Sequence, residues 1–183
     1  TFIAQSIGKS KNETTPSKAA VGTNSSEPIL GENYLFFLEG QFFPQTQASK
    51  IHHFMDKMGH QPQKIAHHIL KEIEGSYTFA VAFQDKVLVG RDTTGTKPLY
   101  YGENDSICAV ASERKALWNI GIANTYSFPP GNLAKISESG FVFEPVAVLK
   151  EPTQIEIEMA DGARRLQELL CNSTRGRVLD VKK

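Results

Sequence analysis

The sequence predicts an α+β fold made of many short antiparallel strands with two or three helices. Within residues 75–118, aromatic and branched side chains alternate with smaller ones, the period of a strand with one buried face. Two β-prone runs in that stretch are joined by Gln84 and Asp85 alone, which predicts a hairpin. Apolar residues over 62–74 instead recur every three or four positions, which predicts an amphipathic helix.

The first third of the chain adds strands to this core. Residues 1–8 start apolar and predict a strand, and the polar residues 9–28 predict a surface loop. Residues 33–43 form a strongly β-prone run that is broken at Glu39-Gly40-Gln41. Gly40 inside such a run predicts either a bulge or a close approach of another backbone segment. Pro62 suits the first turn of the following helix.

The central stretch continues after the hairpin with a polar loop over residues 91–98, which contains Gly95 and Pro98. Residues 99–101 resume the sheet, and residues 106–111 run back after a turn. Ser112 stands where the N-cap of a helix over residues 113–118 is expected. Tyr100, Tyr101 and Trp118 are interpreted as core residues. Two more strands are predicted at residues 132–137 and 141–145.

The character of the sequence changes after residue 150. Residues 161–170 predict an amphipathic helix, and the basic tail over residues 175–183 contains Val178, Leu179 and Val181, which indicates a strand. We therefore expect one domain over residues 1–150. Residues 151–183 are expected to be a linker helix and the start of a further, truncated domain.

Composition excludes several classes of protein. The 183 residues are 40% hydrophobic and 22% charged, and 20 basic residues balance 20 acidic ones, so no net charge favours nucleic acid or membrane. No apolar run could span a bilayer, and no secretory segment opens the chain. The two distant cysteines, Cys108 and Cys171, do not form a disulfide framework. We expect a cytoplasmic protein that binds neither nucleic acid nor membrane.

The sequence predicts no metal site and no cofactor site. His67 and His68 lie on the helix face away from Ile65 and Ile69, and no Cys, Asp or Glu stands at a ligand spacing around them. We interpret these histidines, like His52, His53 and His60, as solvated surface. No glycine-rich phosphate loop is present.

Two other features have a chemical interpretation. Arg91 and Asp92 are either a functional pair or an ion pair that pins a loop, and the second interpretation is favoured. Thr1 could act as a nucleophile with its own α-amine as base if it were the mature terminus. Because the chain begins with Thr1 rather than methionine, the alternative is a processed or truncated start, which we favour.

Four ordered blocks, GSYTFAVAF, VLVGRDTTGTKPLYYG, AVASERKALW and FPPGNLAKI, resemble the class II glutamine amidotransferase domain of the asparagine synthetase family. NYLFFLEGQFF resembles the strand that carries the family's Asn-Gly-Glu block. The tail ARRLQELLCNSTRGRVLDVKK resembles the beginning of its ATP-using synthetase domain. The resemblance implies an N-terminal-nucleophile hydrolase-like fold, a four-layer sandwich of two stacked antiparallel β-sheets flanked by helices.

In that family a terminal cysteine attacks the side-chain amide of glutamine, and backbone and Asn donors hold the oxyanion. The ammonia passes to a synthetase domain that activates aspartate with ATP and Mg²⁺. The resemblance therefore implies a synthetase domain beyond Lys183 as partner, and glutamine as a ligand if the site is active. ATP and Mg²⁺ are expected only in that domain, with no cofactor in this chain. A homodimer is left open.

The sequence departs from the family where the chemistry is expected. Thr1 opens the chain instead of Cys-Gly-Ile, and the His-Arg-Gly-Pro-Asp block and the Arg-Leu block are missing. Glu39 and Gln41 replace the Asn and Glu of the glutamine-binding block, and Gly40 remains as the candidate backbone donor to an oxyanion. A carboxylate at Glu39 would repel a developing oxyanion. We therefore predict that glutamine hydrolysis is impaired or lost.

The residues that match the family best are expected to support the structure. They should hold the loops and the sheet-to-helix junction, and they are Arg91, Asp92, Gly95, Lys97, Pro98, Ser112 and Glu113. Three functions stay open on the sequence. The chain is part of an asparagine-synthetase-like protein, a non-catalytic scaffold or interaction module on the same fold, or a hydrolase that uses Thr1.

Overall fold

The computed structural model describes residues 3–6, 19–22, 29–30, 34–43, 61–83, 86–137 and 139–178. Thr1, His52, His53 and His60 lie outside these residues. The strands are β1 (Ile3–Ser6), β2 (Ala19–Gly22), β3 (Ile29–Leu30), β4 (Leu35–Phe42), β5 (Gly75–Phe83), β6 (Lys86–Arg91), β7 (Tyr100–Glu103), β8 (Cys108–Ala111), β9 (Tyr126–Ser127), β10 (Asn132–Ser137) and β11 (Gly140–Pro145). The helices are α1 (Pro62–Glu72), α2 (Arg114–Asn119) and α3 (Met159–Val178).

The strands form two antiparallel sheets. One has the order β2-β1-β8-β7-β9, and the other has the order β11-β10-β6-β5-β4-β3. The predicted hairpin is β5–β6, with Phe83 opposite Lys86 and Thr78 opposite Arg91. The α+β prediction from alternating and helical periodicities is confirmed.

Alternation along the strands divides the apolar side chains into three packed layers. Val87, Val89 and Val110 belong to a cluster drawn from both sheets, so it fills the space between them. On the outer face of the six-stranded sheet, Phe79 and Leu88 pack with α1. Ala109 and Ala111 pack with Leu117 of α2 on the outer face of the other sheet. The described residues thus form the predicted order of helix, sheet, sheet and helix.

The junction between β8 and α2 differs from the prediction. Glu113, not Ser112, is the N-cap residue, with extended backbone angles (φ −130, ψ 134) and no side-chain capping bond. Ser112 lies one residue earlier and is buried where the strand ends. The prediction that Trp118 is a core residue is also wrong, because its side chain is 53% exposed. Successive helical residues point about 100° apart, and α2 buries the preceding Leu117 instead.

The C-terminal helix is longer than predicted. α3 covers the predicted residues 161–170 and continues through Val178, so residues 175–178 are helical rather than the start of a strand. Basic residues near its end, Arg175 and Arg177, complement the helix dipole, which favours continuation of the helix there. Leu179 and Val181 lie outside the described residues.

Tyr77 joins the sheet to the end of α1. Its hydroxyl lies 2.8 Å from the carbonyl oxygen of Ile69 and 3.0 Å from that of Ile73, to which it donates. The Ile69 carbonyl lies in the last turn of α1 and also accepts from the Ile73 amide at 3.2 Å, whereas the Ile73 carbonyl lies just after the helix, where intrahelical donors are missing. Burial raises the pKa of the Tyr77 hydroxyl above its usual value of 10.0, and the negative charge of Asp92 adds to this shift.

We expect the Tyr77→Phe variant to lose about 1–2 kcal/mol of unfolding free energy at neutral pH, because the hydroxyl donor disappears. A raised pKa means that the folded state favours neutral tyrosine, so this contribution is complete below pH 10 and falls as the pH rises above it. Urea unfolding at neutral and alkaline pH measures both effects. Tyr126→Phe, at an exposed position, is the control. If the wild type and Tyr77→Phe lost the same unfolding free energy between neutral and alkaline pH, the pH dependence would not come from Tyr77.

Candidate functional site

A cleft of about 1360 Å³ lies at one end of the six-stranded sheet. Its walls come from β4, the start of β5, the end of α1, the loop after β6, and α3. The lining residues are Leu38, Glu39, Gly40, Gln41, Phe43, Leu70, Lys71, Glu72, Ile73, Glu74, Gly75, Ser76, Tyr77, Asp92, Thr93, Thr94, Thr96, Lys97, Ala147, Leu169, Asn172, Ser173 and Arg177. Of the residues singled out in the sequence, the cleft brings together Glu39, Gly40 and Gln41 of β4 with Asp92 and Lys97 of the loop over residues 91–98.

Gly40 occupies a position in β4 that requires glycine. Its φ angle is +131°, in the range that residues with a side chain rarely adopt. A Cβ atom there would lie 2.1 Å from the carbonyl oxygen of Ser76. The register runs without interruption from Leu35 to Phe42. The strand is therefore neither broken nor bulged, and the alternative prediction, a close backbone approach, is correct.

Glu39 and Thr78 face each other across β4 and β5. Glu39 Oε2 and Thr78 Oγ1 are both buried, and neither has a hydrogen-bond partner within the described parts of the chain. Thr78 is fully buried, whereas Gln41 on β4 is exposed. The sequence identified Glu39 and Gln41 as substrate-binding candidates, and the structure places both on the cleft wall.

Asp92 organises the part of the cleft wall that the loop after β6 contributes. It is 1% exposed, and its Oδ1 accepts from the Thr94 amide at 2.9 Å, the Thr94 hydroxyl at 2.5 Å and the Thr96 amide at 3.5 Å. Its Oδ2 accepts from the Tyr77 amide at 3.3 Å. This carboxylate thus fixes the loop against β5 by several hydrogen bonds.

Arg91 holds the same loop from its other side. Its guanidinium donates to the carbonyl oxygens of Lys97 (2.8 Å), Gly95 (2.6 Å) and Phe128 (2.6 Å). Burial lowers the pKa of Arg91, and the charge of Asp92 opposes that shift. Among the described residues, Arg91 and Asp92 do not form the predicted ion pair with each other. Each instead binds groups of the loop separately, Arg91 through backbone carbonyls and Asp92 through backbone amides and the Thr94 hydroxyl.

The remaining predicted structural residues fall in two places. Gly95 has φ +63° and lies so near Pro130 that a Cβ would be 2.7 Å from its Cγ. Lys97 lines the cleft and Pro98 follows it as an exposed residue. Ser112 and Glu113 belong to the junction before α2 and do not line the cleft.

The wall contributed by α3 was not foreseen. Leu169, Asn172, Ser173 and Arg177 line the cleft, and the Arg177 guanidinium lies 5.0 Å from the centre of the Phe43 ring. These positions are three or four residues apart, so they share one helix face. That spacing is readable in the sequence, but nothing in it indicates which surface the face meets.

The aromatic and histidine predictions need correction. Tyr100 and Tyr101 are half-buried rather than core, although Tyr101 packs edge-on to Phe128. His67 and His68 are half-buried rather than solvated, and His67 Nε2 lies 3.2 Å from the Glu144 carboxylate on β11. α1 packs on the sheet closely enough to bring its outer residues near that strand.

Within the described residues there is no group of three His, Cys, Asp or Glu side chains that could hold a metal ion. Among the same residues, no helix is both long enough and apolar enough to cross a membrane. Both signs of charge line the cleft: its carboxylates accept hydrogen bonds and attract positive charge, and its three basic side chains, Lys71, Lys97 and Arg177, donate hydrogen bonds and attract negative charge.

Comparison with known proteins agrees with this architecture. Residues 37–119 match the family described as a glutamine amidotransferase domain. The chain is 47% identical over 53 residues to a protein of Methanocaldococcus jannaschii named as an asparagine synthetase (glutamine-hydrolyzing), covering 28% of this chain and 10% of that protein. It is 29% identical over 73 residues to an amidophosphoribosyltransferase of the same organism, covering 40% and 16% respectively.

A solved structure shows the same fold. Glutamine phosphoribosylpyrophosphate amidotransferase from B. subtilis superposes with a TM-score of 0.51 at 14% identity, over 79% of this chain and 43% of that one. In the two sequence matches, the chain spans only 10% of the length of the protein named as an asparagine synthetase and 16% of the length of the amidophosphoribosyltransferase. Residues 37–119 therefore match the glutamine amidotransferase family in sequence, and the two antiparallel sheets have the predicted N-terminal-nucleophile hydrolase-like fold, which they share with that solved amidotransferase.

Proposed function

We propose that this chain is the glutaminase-type domain of an asparagine-synthetase-like protein in which glutamine hydrolysis is impaired or lost. Its role is then to support a synthetase domain located beyond Lys183, which uses ATP and Mg²⁺ to amidate aspartate. The match to a protein named as an asparagine synthetase supports the family part of this proposal.

The proposed loss of glutamine hydrolysis rests on one observation, the carboxylate of Glu39 on the cleft wall. One of its oxygens is buried without a hydrogen-bond donor from the described residues. Hydrolysis of an amide passes through an oxyanion, which is stabilised by hydrogen-bond donors and destabilised by a neighbouring negative charge. A buried carboxylate interacts with such an anion more strongly than an exposed one, because the protein interior screens charge less than water.

We expect the purified chain to release no glutamate from glutamine above the buffer blank. Replacing Glu39 with Asn removes the negative charge but supplies no nucleophile, so we expect Glu39→Asn also to remain inactive. A coupled glutamate dehydrogenase assay measures both. Thr1→Ala is the control variant. A clear rate in the wild type that Thr1→Ala abolishes would contradict the proposal and identify a hydrolase that uses Thr1.

The partner is tested in the longer gene product. We expect the sequence after Lys183 to contain a Ser-Gly-Gly-rich pyrophosphate loop. The full protein should then form asparagine from aspartate and ATP with ammonium as nitrogen donor, and not with glutamine. A gene that encodes no such loop would favour a stand-alone binding or interaction module on the same fold.

A further inference from the structure

We infer that one exposed apolar face of α3 is an interaction surface for a second copy of this chain, and that the two α3 helices pair antiparallel about a two-fold axis. This face, the α3 stripe, consists of Met159, Ala163, Leu166 and Leu170. The association does not depend on the reaction that the cleft supports, so it goes beyond the proposed function.

The α3 stripe is a continuous apolar surface in contact with water. Its residues are spaced by four, three and four positions, which aligns them along one side of a helix. Met159 is 89% exposed, Leu166 57% and Leu170 59%. Helices gain most of their stability by burying an apolar face, and monomeric proteins seldom leave such a surface uncovered. The α3 stripe therefore indicates a partner surface.

The α3 stripe is separate from the cleft. The part of the cleft wall that α3 contributes is a neighbouring face of the helix, and none of the four stripe residues lines the cleft. Arg177, which belongs to the cleft-lining face, holds the end of the helix over the Phe43 ring. A partner can therefore cover the stripe while the cleft-lining face stays in place.

The distribution of charge along α3 indicates that the partner is a second copy. The segment leading into the helix and its first turn is acidic, with no basic residue among Glu151, Glu156, Glu158 and Asp161. The rest of the helix is basic, because a single acidic residue, Glu168, stands against Arg164, Arg165, Arg175 and Arg177. An antiparallel pair places the acidic end of each copy beside the basic end of the other, whereas a parallel pair places like charges together.

The stripe is also complementary to itself in shape. In an antiparallel pair centred between residues 163 and 166, Ala163 of one copy faces Leu166 of the other, and Met159 faces Leu170. A small residue opposite a leucine lets two helices approach closely. The residues that flank the stripe are uncharged, so the pairing buries no charge beside it; they are Ala160, Gly162 and Gln167.

Sedimentation equilibrium of the 183-residue chain tests the association. A reducing agent is present because Cys171 is exposed and could form a disulfide between copies. We expect a reversible monomer–dimer equilibrium with a Kd on the order of 10–100 µM, since a single helix pair is a small interface. A chain that stays monomeric up to about 500 µM would overturn the inference and leave the stripe to another occupant, such as residues beyond Lys183.

Leu166→Glu should weaken the dimer at least tenfold, because two-fold symmetry places the introduced charge in the interface twice. Asn172→Glu is the matched control. It adds the same charge to the same helix at an exposed position about 200° around the axis from Leu170, and it should leave the Kd nearly unchanged. Equal effects of the two variants would contradict the assignment to the stripe. Circular dichroism confirms that each variant is folded.

Exchange of charges tests the antiparallel orientation. Arg175→Glu and Glu158→Lys should each weaken self-association severalfold at low ionic strength, because each places like charges at both ends of the pair. An equal mixture of the two variants should associate about as well as the wild type, since each altered end then meets a charge of opposite sign. A mixture no stronger than either variant alone would exclude antiparallel pairing.

Discussion

Replacing Gly40 with alanine is expected to lower the free energy of unfolding by about 3–5 kcal/mol. The added Cβ would lie 2.1 Å from the Ser76 carbonyl oxygen and 2.7 Å from Tyr77 Cα. Both obstacles are backbone atoms of the paired strand, so no side-chain rotation relieves the overlap. The φ angle of +131° adds conformational strain for any residue with a side chain. Urea unfolding followed by circular dichroism measures the loss.

Gly162→Ala is the matched control for this change. In α3, a Cβ at Gly162 would have its nearest neighbour, Ile157 Cγ2, at 3.7 Å, an ordinary contact distance. Alanine is also the better helix former, so we expect this variant to be neutral or more stable by up to about 1 kcal/mol. A loss below about 1 kcal/mol for Gly40→Ala would show that β4 and β5 can separate locally, contrary to the close packing described.

The second large effect is expected at Arg91. Arg91→Leu keeps an apolar side chain but leaves the carbonyl oxygens of Gly95, Lys97 and Phe128 without their donor, and we expect a loss of about 3–5 kcal/mol in the free energy of unfolding. Arg91→Lys should recover only part of it, because an ammonium cannot reproduce the planar fork of the guanidinium. Thermal and urea unfolding measure the loss.

Arg114→Leu controls for the removal of an arginine. Arg114 is exposed, with its guanidinium 4.8 Å from the centre of the Tyr100 ring. We expect Arg114→Leu to lower the free energy of unfolding by no more than about 1 kcal/mol, the usual scale of an exposed cation–π contact. Similar losses for Arg91→Leu and Arg114→Leu would mean that the buried hydrogen bonds add nothing.

The fold was largely predictable because the strand and helix periods are strong signals here. Alternation placed Phe79 and Val81 on one face of β5, and the spacing of Ile65 and Ile69 gave α1. The structural role of Gly40 was harder to predict. The sequence allowed a bulge or a close approach at Gly40, and only the register of the paired strand decides between them.

The candidate site was less predictable, because its contacts join distant parts of the chain. Asp92 accepts from the Tyr77 amide, fifteen residues away. The pairing of Glu39 with Thr78 follows from strand register, which sequence alone did not fix. The face of α3 that meets the cleft depends on how the helix packs, and its amphipathic pattern does not specify the surface it meets.

The hydrogen bond from Arg91 to Phe128 also bears on the order in which the molecule assembles. The two residues are 37 positions apart. Arg91 ends β6 in the six-stranded sheet, and Phe128 directly follows β9 in the five-stranded sheet. Contacts of such long range require closure of a long loop, whereas a hairpin forms from neighbouring residues. We therefore expect the loop beside the cleft to acquire its final shape only after the two sheets have met, late in folding rather than at its beginning.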